Sequence, residues 1–237
     1  SRANRTPSPF GLRSPAHSDL RGISALVDTT GPGAHTGALI GADETFSHEV
    51  LQGASDCAQE VGMQVVYSAF YPINAPDLAS QLLAVKAMHP DLLLGSGHLQ
   101  DSLLLARQVH DLGLTPKAIG LTSGPSTPEF RANLQGLADY IFGATQWTSA
   151  LQYKGDDPWG SPRSYADAFR ARYPTYGDVP YQTAESSAAV IVAQRAIEKA
   201  GAIDPESVRA ALTKIDFMTF YGRIKFDERG VNIYKPM

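Results

Sequence analysis

The chain has 237 residues, of which 43% are hydrophobic and 19% are charged, and its formal net charge at neutral pH is −4. This length allows one large α/β domain, or one domain with part of another, and the hydrophobic content suffices for an ordinary soluble core. The weak negative charge gives no electrostatic footprint for nucleic acid or an anionic membrane, and no apolar run approaches the ~20 residues of a transmembrane helix.

The first 22 residues are rich in Arg, Pro and Ser and lack hydrophobic periodicity, so we interpret them as a linker or crossing segment. They contain no apolar stretch of the kind that forms a signal peptide. Residues 23–27 are predicted to form a short helix. The lone cysteine, Cys57, excludes an internal disulfide, and its apolar neighbours on a predicted helix indicate a buried, inert thiol.

From Gly37 onward, predicted strands and helices alternate regularly. The apolar run Leu92–Leu94, bounded by Pro90 and Gly95, is typical of a strand that is covered on both faces. The predicted strands are 38–41, 63–69, 92–94, 118–122 and 140–145, and the predicted helices are 46–61, 77–88, 99–112 and 128–134. We expect Asp43 or Ser47 to cap the first of these helices.

Five strands that alternate with four helices predict an α/β fold with a doubly wound parallel sheet. In such sheets, ligands bind in the crevice at the carboxyl ends of the strands. The Gly-rich turn at 95–98, between the strand at Leu92 and the helix at Leu99, lies at such an end. We therefore place function at this turn and at the equivalent turns along the chain.

After Trp147 the alternation stops. A polar loop at 151–162 precedes helices predicted at 164–173, 181–200 and 205–215 and one strand predicted at 217–226. The helix at 181–200 has an apolar face that needs a partner, whereas the first sheet already has helices on its faces. This tail is therefore expected to belong to a second, incomplete lobe.

Four segments, in order and with family-like spacing, make the chain resemble leucine/isoleucine/valine-type (type I) periplasmic solute-binding proteins of ABC transporters. They are Ala38-Leu-Ile-Gly-Ala-Asp-Glu-Thr-Phe-Ser47, Pro90-Asp-Leu-Leu-Leu-Gly95, Arg107-Gln-Val-His-Asp-Leu-Gly113 and Tyr221-Gly-Arg-Ile-Lys-Phe-Asp227. The similarity covers nearly the whole chain from about Phe10. It corresponds to the second lobe of the family, together with flanking segments, and a complete first lobe is missing.

The resemblance implies a division of the chain and a set of partners. Residues 1–22 would be a crossing segment, 23–147 an α/β lobe, and 148–237 a loop, helices and a strand that belong mainly to the other lobe or the hinge. In the family, two lobes close on a small solute, and the loaded protein docks on a membrane permease. The expected location is periplasmic or extracytoplasmic, and the expected partners are a solute, a permease, and the missing lobe or a second copy.

The resemblance also implies ligand-binding positions, all in loops at strand ends. Phe46 matches a position where the family often has an aromatic residue that stacks on the ligand, with helix-staple packing as the alternative. His98, after Gly97, matches another contact position that is frequently Tyr. Trp147 is expected to form a cleft wall or to pack in the core, and Tyr181 to line the opposite wall.

The resemblance also indicates which class of solute is expected. Thr122 and Ser123 lie where amino-acid-binding members place an acidic residue for the ammonium group of the ligand. An unpaired buried cation is costly, so hydroxyl groups at this position favour a carboxylate, amide or aromatic solute over a leucine-like amino acid.

Catalytic and metal-binding patterns are missing from the sequence. It lacks a nucleophile elbow, a phosphate-binding loop and a His-Glu-x-x-His motif, and its six histidines have no metal-ligand spacing. We expect no catalytic residue, no metal and no cofactor, and read the helical acids, such as Asp101, as a solvated face. A solute-binding protein is the favoured function, and an α/β enzyme or a ligand-sensing domain of the same fold is the alternative.

Overall fold

The computed structural model describes residues 10–13, 15–20, 22 and 33–234. The predicted helix at 23–27 lies outside the described residues. The chain divides into two compact units: a sheet unit within residues 16–145, and a discontinuous unit formed by the residues up to 15 and those from 146 onward. Within the described ranges, no helix has the length and hydropathy needed to cross a bilayer.

The sheet unit contains the predicted parallel sheet of five strands. Its elements are β1 (Thr36–Ala42), α1 (Thr45–Glu60), β2 (Gln64–Tyr71), α2 (Ala79–Met88), β3 (Leu92–Ser96), α3 (Leu99–Asp111), β4 (Ala118–Leu121), α4 (Pro128–Leu134) and β5 (Ile141–Gly143). The strand order is β2-β1-β3-β4-β5, and every neighbouring pair is parallel. The α/β fold class predicted from the sequence is thereby confirmed.

Helices cover both faces of this sheet, as the apolar strands require. Leu93 belongs to a cluster with buried residues of α2, α3 and α4. Leu94, the next residue along β3, instead packs with Leu39 and with Val50 and Leu51 of α1. Successive side chains of a strand point to opposite faces, so the unbroken leucine run serves a core on each side.

Part of the predicted linker is ordered against the sheet unit. Ala16–Ser18 form a 3-10 helix, and Leu20 is fully buried in the cluster that contains α1. The backbone of His17 comes so close to α1 that a Cβ atom at Gly53 would lie 1.9 Å from its carbonyl oxygen. The residues around 16–20 are therefore part of the sheet unit's core.

Several predicted element boundaries need correction, among them the end of the helix predicted at 205–215, which lies at Leu212. The N-cap of α1 is Glu44, not Asp43 or Ser47. The helix predicted from Asp77 begins at Ala79, and the Asp77 carboxylate accepts the Ala79 N–H at 3.0 Å. The last strand does not begin at Tyr140, because that residue has a φ of 63°, which is incompatible with an extended strand.

In the residues that the structure describes, the discontinuous unit has three helices and a hairpin: α5 (Pro162–Arg172), α6 (Tyr181–Ala200), α7 (Pro205–Leu212), β6 (Asp216–Thr219) and β7 (Gly222–Lys225). The prediction of one strand over 217–226 is wrong, since β6 and β7 pair antiparallel. The chain reverses at Phe220 and Tyr221, and Gly222 accommodates a φ of 128° directly after the turn. The two central residues of this turn, Phe220 and Tyr221, are buried aromatics that are typical of strands, which is why the pattern predicted one continuous strand.

This unit has its own apolar core, and α6 contributes to it. The core includes Trp147, Tyr165 and Phe220, with Ala188 and Ile191 from α6. Elsewhere on α6 the structure leaves apolar side chains exposed, with Val190 69% and Ile197 41% accessible. The expectation that α6 lacks an apolar partner thus applies only to these outward residues.

Asp91 connects the amino-terminal ends of β1, β3 and β4 in the sheet unit. The Oδ2 atom of Asp91 accepts the backbone N–H groups of His35 at 2.8 Å and Thr36 at 3.1 Å. Its Oδ1 atom lies 2.8 Å from the Lys117 ammonium, just before β4. The Lys117 ammonium and these N–H donors hold the pKa of the Asp91 carboxyl well below its usual range.

We expect Asp91→Asn to lower the free energy of unfolding at pH 7 by about 1–3 kcal/mol, since charge-assisted hydrogen bonds are lost. A carboxyl with a lowered folded-state pKa stabilises above its unfolded value near 3.9 and loses that contribution as the pH falls towards the folded value. The difference between wild type and variant should therefore shrink below about pH 4. Urea unfolding at several pH values tests this, with Asp139→Asn, an exposed partner of Arg131, as the control; an equal difference at pH 7 and pH 3 would contradict it.

Candidate functional site

The strand order places a crevice at the carboxyl ends of β1 and β3. The chain moves from β1 outward to β2, and then crosses back over β1 to reach β3, so the sheet changes its winding direction between β1 and β3. The loops after these two strands leave towards opposite faces, which opens a crevice at the carboxyl edge. The register aligns Gly41 of β1 with Ser96 of β3, so both loops start at the same height.

Small residues let the start of α1 pack closely against the ends of β1 and β3. An added Cβ at Gly41 would lie 3.0 Å from a Leu51 methyl and 3.2 Å from the Ser47 Cβ. The Ser96 hydroxyl donates to the Ser47 hydroxyl at 3.1 Å, and both residues are buried. The crevice floor is therefore closed, and its polar groups are paired.

The turn after β3 requires glycine and fixes the start of α3. A Cβ at Gly97 would lie 2.7 Å from the Asp101 Cβ and 2.9 Å from the Tyr71 hydroxyl oxygen. The backbone N–H of His98, the N-cap of α3, donates to Asp101 Oδ2 at 2.8 Å. Asp101 thus acts in helix capping, which corrects its interpretation as a solvated surface charge.

Side chains from the two loops meet across the crevice. The rings of Phe46 and His98 stack with centroids 5.9 Å apart and planes 14° apart. His98 Nε2 lies 3.2 Å from Glu44 Oε1, and the Glu44 side chain is 21% exposed while that of His98 is 67% exposed. The structure thereby brings together two predicted site residues and adds Glu44, which the sequence analysis did not single out.

Thr122 supports this arrangement from the neighbouring strand end. Its hydroxyl donates to the Gly97 carbonyl at 3.0 Å and accepts the Gly97 N–H at 3.2 Å. The residue is 6% exposed, so its hydroxyl is used to hold the turn. Ser123 contributes its carbonyl oxygen, which accepts the Ser102 hydroxyl at 2.9 Å. Both residues position the crevice turn.

Tyr71, at the end of β2, completes the polar wall. Its hydroxyl donates to the Ser96 carbonyl at 3.3 Å. Burial raises the pKa of the Tyr71 hydroxyl, and the nearby Asp101 and Glu44 carboxylates raise it further, so the group stays a hydrogen-bond donor. Tyr71 and Glu44 both follow directly from strand ends at the crevice, which is the signal that would have identified them.

The remaining two predicted site residues belong to the discontinuous unit. Trp147 is 2% exposed, donates through its indole N–H to the Phe220 carbonyl at 3.1 Å, and meets the Tyr165 ring edge-on at 5.8 Å. The structure thus places it in the core, the alternative to a cleft wall. Tyr181 begins α6, is half-buried, and has the Arg13 guanidinium 5.7 Å from its ring centroid.

A second concavity of the sheet unit lies at the opposite, amino-terminal edge. It encloses about 250 Å³ beside Lys86, Asp91 and Lys117. The Lys86 ammonium donates to the Leu112 carbonyl at 2.6 Å, and Lys117 pairs with Asp91, so these groups serve the fold. Throughout the described part of the chain, no three His, Cys, Asp or Glu side chains are grouped to hold a metal ion.

Comparison with known proteins gives a family match and a shared fold. The family model described as periplasmic binding protein matches residues 5–237. The Leu/Ile/Val-binding protein homolog 7 of Brucella abortus (strain 2308) is 25% identical over 207 residues, which cover 82% of this chain and 49% of the relative. The chain therefore spans about half the length of the curated relatives that it matches.

Solved structures have the same fold. A leucine binding protein, LivK, from Thermotoga maritima superposes with a TM-score of 0.79 at 20% identity, covering 93% of this chain and 60% of that one. The branched-chain amino acid transporter substrate binding protein LivJ of Streptococcus pneumoniae was solved in complex with isoleucine. It superposes with a TM-score of 0.75 at 16% identity, and the match covers 92% of this chain and 59% of that one. At these identities the likeness concerns the fold.

We expect Gly97→Ala to destabilise the sheet unit by about 1–3 kcal/mol, because its methyl group overlaps the space of Asp101 and Tyr71. Gly136→Ala is the matched control, since a Cβ there meets no heavy atom within 4 Å. Urea denaturation of both variants measures the effect. Equal unfolding midpoints for the two variants would show that the turn is not constrained as described.

Proposed function

This chain belongs to the periplasmic binding protein family, and from that premise we propose that it binds a small organic solute without transforming it, as part of an ABC importer. The solute would sit at the carboxyl edge of the sheet unit, between the loops after β1 and β3. The observation that carries the proposal is the meeting of Phe46, Glu44 and His98 at the point where the sheet changes its winding direction.

The chemistry of these side chains suits reversible recognition. An aromatic face, an imidazole and a carboxylate offer apolar contact and directed hydrogen bonds, while the neighbouring hydroxyls of Ser47, Ser96 and Thr122 are engaged within the protein. Candidate solutes are a branched-chain amino acid, as in the name of the Brucella relative, and the carboxylates, amides and aromatic compounds favoured by Thr122 and Ser123.

The partners and location follow from the family. We propose that the whole protein works outside the cytoplasmic membrane and hands its solute to a membrane permease, as the transporter names of its relatives suggest. Small-ligand sites bury ~70–90% of their ligand, and one open sheet edge encloses less. Binding by this chain by itself should therefore be weak.

We expect small solutes to shift the backbone amide resonances of Gly97, His98 and Phe46 in NMR titrations of the chain. The panel is L-leucine, 4-methylpentanoate, 4-methylpentanamide, 3-methylbutylamine and phenylacetate. His98→Ala should weaken the tightest member about tenfold, equivalent to about 1.4 kcal/mol, because both the ring contact and the polar contact are lost.

His110→Ala is the matched control for that variant. His110 is 64% exposed and lies 3.2 Å from Asp111, so it resembles the His98–Glu44 pair but sits at the far end of α3. Its removal should leave the titrations unchanged. Resonance shifts confined to other surfaces would contradict the proposed site, and conversion of a panel member during the titration would favour the enzyme alternative.

A further inference from the structure

We infer that Glu44 is the specificity-determining residue of this edge, and that it selects solutes carrying a cationic nitrogen. The inference rests on the proposed function and narrows its solute class. It departs from the expectation drawn from Thr122 and Ser123, which considered only the loop after β4.

Glu44 occupies a helix N-cap without capping the helix. Its backbone is extended and its carbonyl accepts the His48 N–H at 3.0 Å, but its side chain makes no cap hydrogen bond. The carboxylate turns instead towards His98, with Nε2 lying 3.2 Å from Oε1 and 3.3 Å from Oε2. An N-cap carboxylate usually satisfies the free N–H groups of its own helix, so this orientation directs its charge into the crevice.

Two further carboxylates near the crevice also bind groups of the protein. Asp101 accepts the His98 backbone N–H at 2.8 Å. Asp43 Oδ1 lies 2.8 Å from His48 Nε2, and the His48 ring stacks on Phe70 at 3.8 Å. Glu44 has two oxygen atoms but, among the described residues, only one imidazole nitrogen and a long 3.4 Å contact from the Ser47 hydroxyl. It retains the capacity to accept hydrogen bonds from a ligand.

Acidic side chains lie in the loops at the carboxyl edge of the sheet, and two lysines lie at the amino-terminal edge. The loops at the carboxyl edge, residues 43–44, 72–78, 97–98, 122–127 and 144–145, contain Asp43, Glu44 and Asp77 but no lysine or arginine. Lys86 and Lys117 lie at the opposite edge, where they bind a helix carbonyl and Asp91. The formal charges of these loops are therefore all acidic, and this side-chain contribution favours a cation over a solute whose only charge is a carboxylate.

Phe46 adds a second attraction for the same group. Its half-buried ring lies beside Glu44 and parallel to the His98 imidazole. Aromatic faces attract cations through their quadrupole, and apolar surroundings strengthen the attraction of a carboxylate for an ammonium group. A primary amine or amino acid fits this combination, with its nitrogen at Glu44 and its apolar part against the rings.

Four probes with a shared isobutyl group test the inference by NMR titration at pH 8 and low ionic strength. They are 3-methylbutylamine, L-leucine, 4-methylpentanamide and 4-methylpentanoate. We expect the amine to bind about fivefold more tightly than the carboxylate. Glu44→Gln should erase that preference while changing the affinity of the neutral amide less than about twofold, and 0.5 M salt should weaken the amine selectively.

Asp111→Asn is the control, because it removes a carboxylate that pairs with an exposed histidine at the same 3.2 Å distance. It should leave the preference intact. Glutamine has the same size as glutamate, so the substitution removes only the charge. If the variant unfolds, the order of affinities of the four probes for the wild-type chain still tests the inference. Equal or tighter binding of the carboxylate at this edge would overturn the role of Glu44 while leaving solute binding in place, whereas absence of shifts with every probe would overturn the proposed function itself.

Discussion

The parallel pairing of β1 with β3 is the constraint on which the rest of the site depends. It aligns Gly41 with Ser96, so the two loops that follow leave the sheet from the same height and diverge. The start of α1 packs closely on these strand ends because Gly41 has no side chain to displace Ser47 and Leu51. His98 lies more than 50 residues further along the chain than Glu44 and Phe46, and the three residues come together only because of this pairing.

The charged side chains at the two edges of the sheet differ in their partners. At the amino-terminal edge, Asp91 uses both carboxylate oxygens to bind Lys117 and the start of β1, and its charge is neutralised within the fold. At the carboxyl edge, buried hydroxyls and Asp101 stiffen the turns, while the Glu44 carboxylate and the His98 ring remain accessible. Both edges therefore contain contacts that stabilise the fold, and accessible side chains suited to recognition lie at the carboxyl edge.

The sequence was most informative where local pattern and tertiary packing agree. The bounds of α4 and α6 match the prediction because proline and glycine signals mark their ends. The role of Glu44 could not be foreseen, since it depends on strand order and register. Trp147 follows β5, the last strand of the parallel sheet, yet it packs with Tyr165 and Phe220 of the discontinuous unit. Sequence adjacency gives no indication of that packing.

The most direct test of this account is to observe the solute at the predicted place. Isotope-filtered NMR of the labelled chain with unlabelled L-leucine would detect intermolecular NOEs between solute protons and protein side chains. We expect NOEs from the leucine methyl groups to the ring protons of Phe46 and His98, which stack at 5.9 Å across the crevice. NOEs confined to the cavity beside Lys86 and Lys117 at the opposite edge, or to α6, would contradict the assignment of the β1–β3 crevice as the binding site.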